Sequence, residues 1–217
     1  MSTDVEREKQ LAAEAAAELV EEGMTVGLGT GSTSGYFQIA LAARGLELVC
    51  VATSPATETA ARKLGLRVEP FDSATKLARL DIAVDGADQV DRDGWIVKGG
   101  GGAHTREKIV AAAAERFIVI VSSDKEVDEI GSPIPLELHA FGLAATLARL
   151  GEARLRSAGA TPDGGVLADW IGPVAHVAEL ATWLAATPGV VEHGLFAPEL
   201  VSEVLIGRKD EVERIGY

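Results

Sequence analysis

Met24-Thr25-Val26-Gly27-Leu28, followed by Gly29-Thr30-Gly31-Ser32-Thr33-Ser34, decides how the chain is read. The first five residues predict a short apolar strand. The Gly/Ser/Thr run predicts a tight turn into a helix over 36–44. Upstream, apolar residues at Leu11/Ala12, Ala15/Ala16 and Leu19/Val20 recur at a four-residue step, which predicts a helix over 8–22 stopped by Gly23. Downstream, strands are expected at 46–52, 66–71, 80–84 and 116–121, and helices at 55–64, 74–80 and 105–114, with a short hairpin over 90–97. Strands alternating with helices make an α/β fold with a mostly parallel sheet and helices on both faces.

The pattern changes after Ser132. Strands at 136–138, 153–157, 166–171 and 190–196, with helices at 141–150 and 174–186, run β-α-β-β-α-β, a ferredoxin-like order. A strand at 203–206 is then expected to return to the first sheet. The reading is a catalytic α/β domain over 1–131 and 199–217, with a smaller inserted ferredoxin-like α+β lobe over 132–198. The acidic tail after Lys209 reads as a solvated end.

Composition excludes several classes. The 217-residue chain carries a net charge of −13, which repels nucleic acid and anionic membranes, so neither is an expected partner. No apolar run approaches the roughly 20 residues of a membrane span. The polar, acid-containing start lacks a secretory core, so a cytoplasmic location is expected. The single cysteine, Cys50, sits in an apolar strand and reads as a core residue. The histidines 104, 139, 176 and 193 do not pair at metal-ligand spacing, and His104 reads as a surface neighbour of a glycine run. Trp95, Trp170 and Trp183 read as packing residues.

Three segments carry chemistry. Gly27–Ser34 follows a strand and precedes a helix, a setting that suits either a phosphate or a plain capped βα turn. It is no Walker A loop, since no Lys follows the glycines. It is no dinucleotide fingerprint either, since Ser32 stands where a third glycine would. Asp85-Gly86-Ala87-Asp88 ends a strand, where open α/β sheets bind ligands, and its two acids serve equally well as sugar-binding groups or as turn caps. Lys98-Gly99-Gly100-Gly101-Gly102-Ala103-His104-Thr105-Arg106-Glu107-Lys108 places four glycines before a helix. Such a loop offers backbone N–H groups to a developing oxyanion, with Glu107 in the helix's first turn. A carboxylate answering the helix dipole explains Glu107 but not the glycines or Lys98.

Together these segments resemble type A ribose-5-phosphate isomerase, in order along nearly the whole chain. The resemblance implies interconversion of ribose 5-phosphate and ribulose 5-phosphate by proton transfer through an enediolate. It implies Glu107 as the base, Asp85 and Lys98 at the sugar's reacting end, and Asp88 in the same pocket. Thr30, Gly31, Ser32 and Thr33, Gly86 and Ala87, and Gly99, Gly100 and Gly101 are implied to bind substrate, with Lys9 and Lys125 as cationic helpers. The amides of 99–102 and Lys98 are expected to hold the enediolate charge. The family implies no metal and no organic cofactor, a small sugar phosphate as the only ligand, and a homodimer or homotetramer. Two other readings stay open on the residues: a sugar-phosphate deaminase or lactonase on a similar sheet, and a non-catalytic sugar-phosphate sensor. Incubation with ribose 5-phosphate and with amino-sugar phosphates separates the first rival, and ligand binding with no turnover would mark the second.

Overall fold

In the computed structural model, which describes residues 3–71 and 77–217, the chain begins with helix α1 (Thr3–Ala17), strand β1 (Thr25–Leu28) and helix α2 (Ser32–Ala43). Then follow β2 (Val49–Ala52), α3 (Pro55–Lys63), β3 (Leu80–Asp85), β4 (Gln89–Val90), β5 (Ile96–Val97), α4 (His104–Ala113) and β6 (Ala114–Ser122). After a 3-10 turn at Ser123–Lys125 come β7 (Ile134–Leu138), α5 (Leu143–Leu150), β8 (Ala153–Leu155), β9 (Val166–Trp170), α6 (Val177–Ala186), β10 (Val190–His193) and β11 (Leu195–Phe196). The last strands are β12 (Glu203–Arg208) and β13 (Glu211–Gly216).

Two compact units result, Met1–Ala87 with Arg106–Glu126 and Glu199–Tyr217, and Asp88–Thr105 with Val127–Pro198. The division expected from sequence kept 88–105 and 127–131 with the first. Strand pairing explains the placing of 88–105: β4 and β5 build a three-stranded sheet with β11, in the order β11-β5-β4.

The first unit holds a six-stranded sheet in the order β13-β12-β6-β3-β1-β2, parallel except for the β12–β13 pair. From β1 the chain steps outward to β2 and then to the other side at β3. The crevice beyond the carboxyl ends of β1 and β3 is therefore a topological switch point, where ligands bind in open α/β sheets. Its core is apolar: Val26, Leu28, Ile82, Val84, Ile118 and Ile120 are fully buried beside α1 and α2. Ala12, Ala13, Ala16 and Ala17 give α1 a flat face. At Gly207 in β12 a side chain would meet the Glu8 carbonyl oxygen at 2.0 Å, so strand and helix backbones touch there.

α1 ends at Ala17 instead of running to 22. Leu19 and Val20 turn back onto Ala16 and Ala17 by three-residue bonds, and the Arg44 guanidinium covers the carbonyls of Ala17 and Val20. Helix α3 starts where Ser54 accepts from the Thr57 N–H at 3.1 Å, with Pro55 as the first helical residue. The strand expected over 66–71 reduces to one parallel bridge, Val68 with Cys50. Pro70, without an N–H, cannot extend it. Of the helix expected over 74–80, residues 74–76 lie outside the described residues, 77–79 are irregular and Leu80 opens β3.

The tail after Lys209 is not a loose end. It forms β13, an edge strand of exposed residues in which Val212 and Ile215, three apart, are half-buried. Charged edge strands of this kind discourage pairing with other chains, and their weak apolar alternation hides them from periodicity. The second unit's larger sheet has the order β10-β7-β9-β8, all antiparallel, as expected for a ferredoxin-like unit. The expected strand over 190–196 splits at Gly194, so that β10 and β11 join different sheets. Leu136, Leu138, Ala168, Trp170 and Leu184 form the core here. Trp183 sits edge-on to Trp170, with ring centroids 5.4 Å apart, and stays 40% exposed.

Candidate active site

In the first unit, β1 and β3 pair directly, which sets the Gly29 turn beside Asp85. The Gly29 N–H donates to the Val84 carbonyl at 3.0 Å. Asp85 is buried, and its Oδ1 accepts from the Ser34 hydroxyl at 2.9 Å and from the Gly86 N–H at 2.7 Å. Gly86 faces Thr33: a β-carbon there would lie 3.8 Å from the Thr33 side chain.

The start of α2 has the anatomy of an anion site. Gly31 at its N-cap has φ 122° and supplies no side-chain cap. Lys9, on α1, is buried and donates from Nζ to Ser32 Oγ at 3.1 Å and to Glu6 at 2.9 Å. A cation, a hydroxyl and uncapped amides thus converge at one helix start. The Lys9 ammonium, with the Tyr36 hydroxyl second, holds the Glu6 carboxyl below the usual range. Thr30 turns the other way, its hydroxyl within 2.8 Å of Thr53 Oγ1 and 3.0 Å of Thr57 Oγ1, where it braces the turn against α3. Lys125 is half-exposed, in the 3-10 turn, and pairs with Asp124 at 3.6 Å.

Glu107 lies in the first turn of α4 and is 5% exposed. Cys50 is fully buried, and burial pushes its thiol up to about 12, so it is no nucleophile at neutral pH.

The second unit carries the Lys98–Gly102 segment. Lys98 follows β5, and its N–H donates to the Gly194 carbonyl at 2.9 Å. Its buried ammonium lies 5.8 Å from the Phe196 ring centroid. Asp88 is exposed, and its Oδ2 accepts from the Gly100 N–H at 2.7 Å. The Gly102 N–H donates to the Gly99 carbonyl at 2.9 Å. Two of the four loop amides expected to face an oxyanion are therefore committed, one to Asp88 and one within the loop. The Gly101 N–H has no acceptor among the described residues.

His104 is completely buried, not a surface residue. A β-carbon at Gly99 (φ 102°) would lie 2.6 Å from its Nδ1, so the ring packs against the glycine backbone. Three polar contributors escaped sequence reading: Ser34 on Asp85, Glu137 accepting from the Thr105 hydroxyl and from Thr161 at 2.6 Å, and Arg156 on the glycine carbonyls. Only Ser34 had a signal, its place in the quoted turn. Among the described residues no group of three or more His, Cys, Asp or Glu could hold a metal ion, and no helix is long and apolar enough to cross a membrane.

The chain is similar to known proteins along nearly its whole length. A family model described as ribose 5-phosphate isomerase A (phosphoriboisomerase A) matches residues 49–211. A ribose-5-phosphate isomerase A of Rhodopseudomonas palustris is 43% identical over 94% of this chain and 95% of its own. The crystal structure of ribose 5 phosphate isomerase A from Neisseria gonorrhoeae superposes with a TM-score of 0.92 at 30% identity, covering 100% of this chain and 98% of that one. A D-ribose-5-phosphate isomerase solved in complex with phospho-erythronic acid gives 0.91 at 31% identity, covering 99% and 100%.

Proposed function

The chain belongs to the ribose 5-phosphate isomerase A family, whose members interconvert ribose 5-phosphate and ribulose 5-phosphate, and from that premise we propose that Glu107 is the base and that the proton passes through an enediolate. In this reading the Glu107 carboxylate takes the proton from C2 of the open-chain aldose. The C2–H electron pair forms the C1–C2 double bond, and the carbonyl pair moves onto O1. The O2 hydroxyl proton then passes to O1 by way of Asp85, the O2 pair forms the C2 carbonyl, and the C1–C2 pair takes the proton back from Glu107 at C1, which gives the ketose. Carbon acids of this kind are weak, so the charge on O1 needs a partner. Lys98 and the Gly101 amide take that role, and one such donor is typically worth about 3 to 4 kcal/mol in a dry site. Asp85 exchanges protons at the reacting end, ring opening included. Lys9, Ser32 and Thr33 at the start of α2 take the phosphate, so remote binding energy positions C1 and C2.

The observation that carries the base assignment is the burial of the Glu107 carboxyl in the first turn of α4, immediately after the glycine run. Phospho-erythronic acid, bound by the similar isomerase, has a carboxylate with the charge and planarity of an enediolate, and it is the natural inhibitor to test here. The same reading carries a homodimer or homotetramer and a cytoplasmic location. Isomerisation of ribose 5-phosphate in D2O tests the chemistry. Deuterium at C1 of the ketose is expected from a single base exchanging with solvent. Tight binding of the sugar phosphate without turnover would favour the sensor reading and overturn this one.

A further inference from the structure

Arg156 lies just past β8 and acts on the glycine loop from the ferredoxin-like sheet. Its Nε and Nη2 form a two-pronged pair with Asp169 on β9, at 2.9 and 2.6 Å. The remaining nitrogen, Nη1, donates to the carbonyls of Gly99 at 2.8 Å and Gly100 at 3.2 Å. Both side chains are about four-fifths buried, and a planar fork held this way has little freedom left.

A trans peptide points its C=O and the following N–H in opposite directions. The only cis bond in the chain, among the described residues, is Ser132–Pro133. Drawing the Gly99 carbonyl onto Arg156 therefore turns the Gly100 N–H away, and Asp88 accepts it at 2.7 Å. Drawing the Gly100 carbonyl onto the same guanidinium turns the Gly101 N–H away likewise, and that donor has no acceptor among the described residues. Consecutive glycines have no side chains to fix these planes and large freedom to lose. We propose that Arg156, held by Asp169, is a positioning residue that aims the Gly101 N–H as the donor to the enediolate oxygen.

This rests on the enediolate reading above, and the test keeps the two apart. Arg156→Met should lower kcat about tenfold with KM for ribose 5-phosphate within about twofold, since the donor matters in the transition state and not in binding. Affinity for phospho-erythronic acid should fall by a similar factor. Arg156→Lys, which keeps the charge but not the fork, and Asp169→Asn should each fall between. Gly101→Pro, which deletes the N–H itself, should cost at least as much kcat as Arg156→Met. If Gly101→Pro turns over normally, the Gly101 N–H is not the donor and the role of Arg156 falls with it, while the enediolate reading is tested separately by Glu107→Gln. If Gly101→Pro is slow while folded Arg156→Met, or Arg156→Lys where the former does not fold, keeps kcat within twofold, the donor stands and the role of Arg156 is overturned. A lowered melting temperature with unchanged kcat overturns it in the same way.

Discussion

The Asp85 carboxylate fills the space that a β-carbon on Gly29 would need: such an atom would lie 2.0 Å from Asp85 Cγ and Oδ1. Asp85 cannot yield easily, because Ser34 and the Gly86 amide hold the same oxygen and the strands on either side are paired. Gly29→Ala should displace the carboxylate, lower kcat/KM by about 10²-fold, and cost about 1 to 3 kcal/mol of stability through overpacking. Placing the same change in an Asp85→Ala background should remove most of the stability cost, since the clash is pairwise. A full cost in both backgrounds, measured by urea unfolding, would mean that the glycine is required for another reason.

Glu107→Gln keeps the shape of the side chain and removes the base. With KM near that of the parent, kcat should fall by about 10²-fold or more, the usual contribution of a positioned proton acceptor. Deuterium incorporation at C1 should slow in step. Loss of turnover with unchanged solvent exchange would assign the proton transfer to a different group.

Lys9 reaches Ser32 at the start of α2 from a buried position. Lys9→Met preserves the stem and removes the charge. KM for ribose 5-phosphate should rise about tenfold, some 1.4 kcal/mol, with kcat within about threefold. Thr33→Ala should raise KM by less. If neither variant changes KM, the phosphate is held elsewhere.

How much of this was legible in the chain depends on whether a feature is local. The turn at 29–34 and the strand-end acid Asp85 are local motifs, so their place in the first unit was readable, as were the return of β12 and the ferredoxin-like order. The partnership of Gly29 with Asp85 was not, since strand register decides it. The tail was misread because β13 gains its order from pairing with β12 and from Arg208, which bonds Glu213 at 2.6 Å and Glu126 at 2.7 Å, and little from apolar alternation. His104 was placed at the surface because polarity is a poor guide where a ring packs on glycine backbone. Arg156 and Asp169 looked like ordinary charges on neighbouring strands, and only the fold brings a glycine carbonyl to the guanidinium.

Glu8, next in sequence to Lys9, offers a test by pH. Its carboxylate accepts from the Ser123 N–H at 3.0 Å, the Ser123 hydroxyl at 2.7 Å and the Lys209 N–H at 2.9 Å, tying α1 to the 3-10 turn and to the β12–β13 corner. Burial pushes this carboxyl up, but the donors from Lys209 and Ser123 together outweigh burial and hold it below the usual range. A carboxyl whose folded value is depressed adds stability that is fully present above its unfolded value, near ~4.3, and is lost as pH falls through the folded one. Glu8→Gln keeps an acceptor but gives up the charge, so at pH 7 it should cost about 1.5 to 3 kcal/mol, the range for hydrogen bonds to charged groups. Between pH 5 and pH 3 the gap between parent and variant should narrow, because protonation makes the parent resemble the variant. A gap of constant size across that window, read from urea unfolding, would show that shape and not charge is what residue 8 contributes.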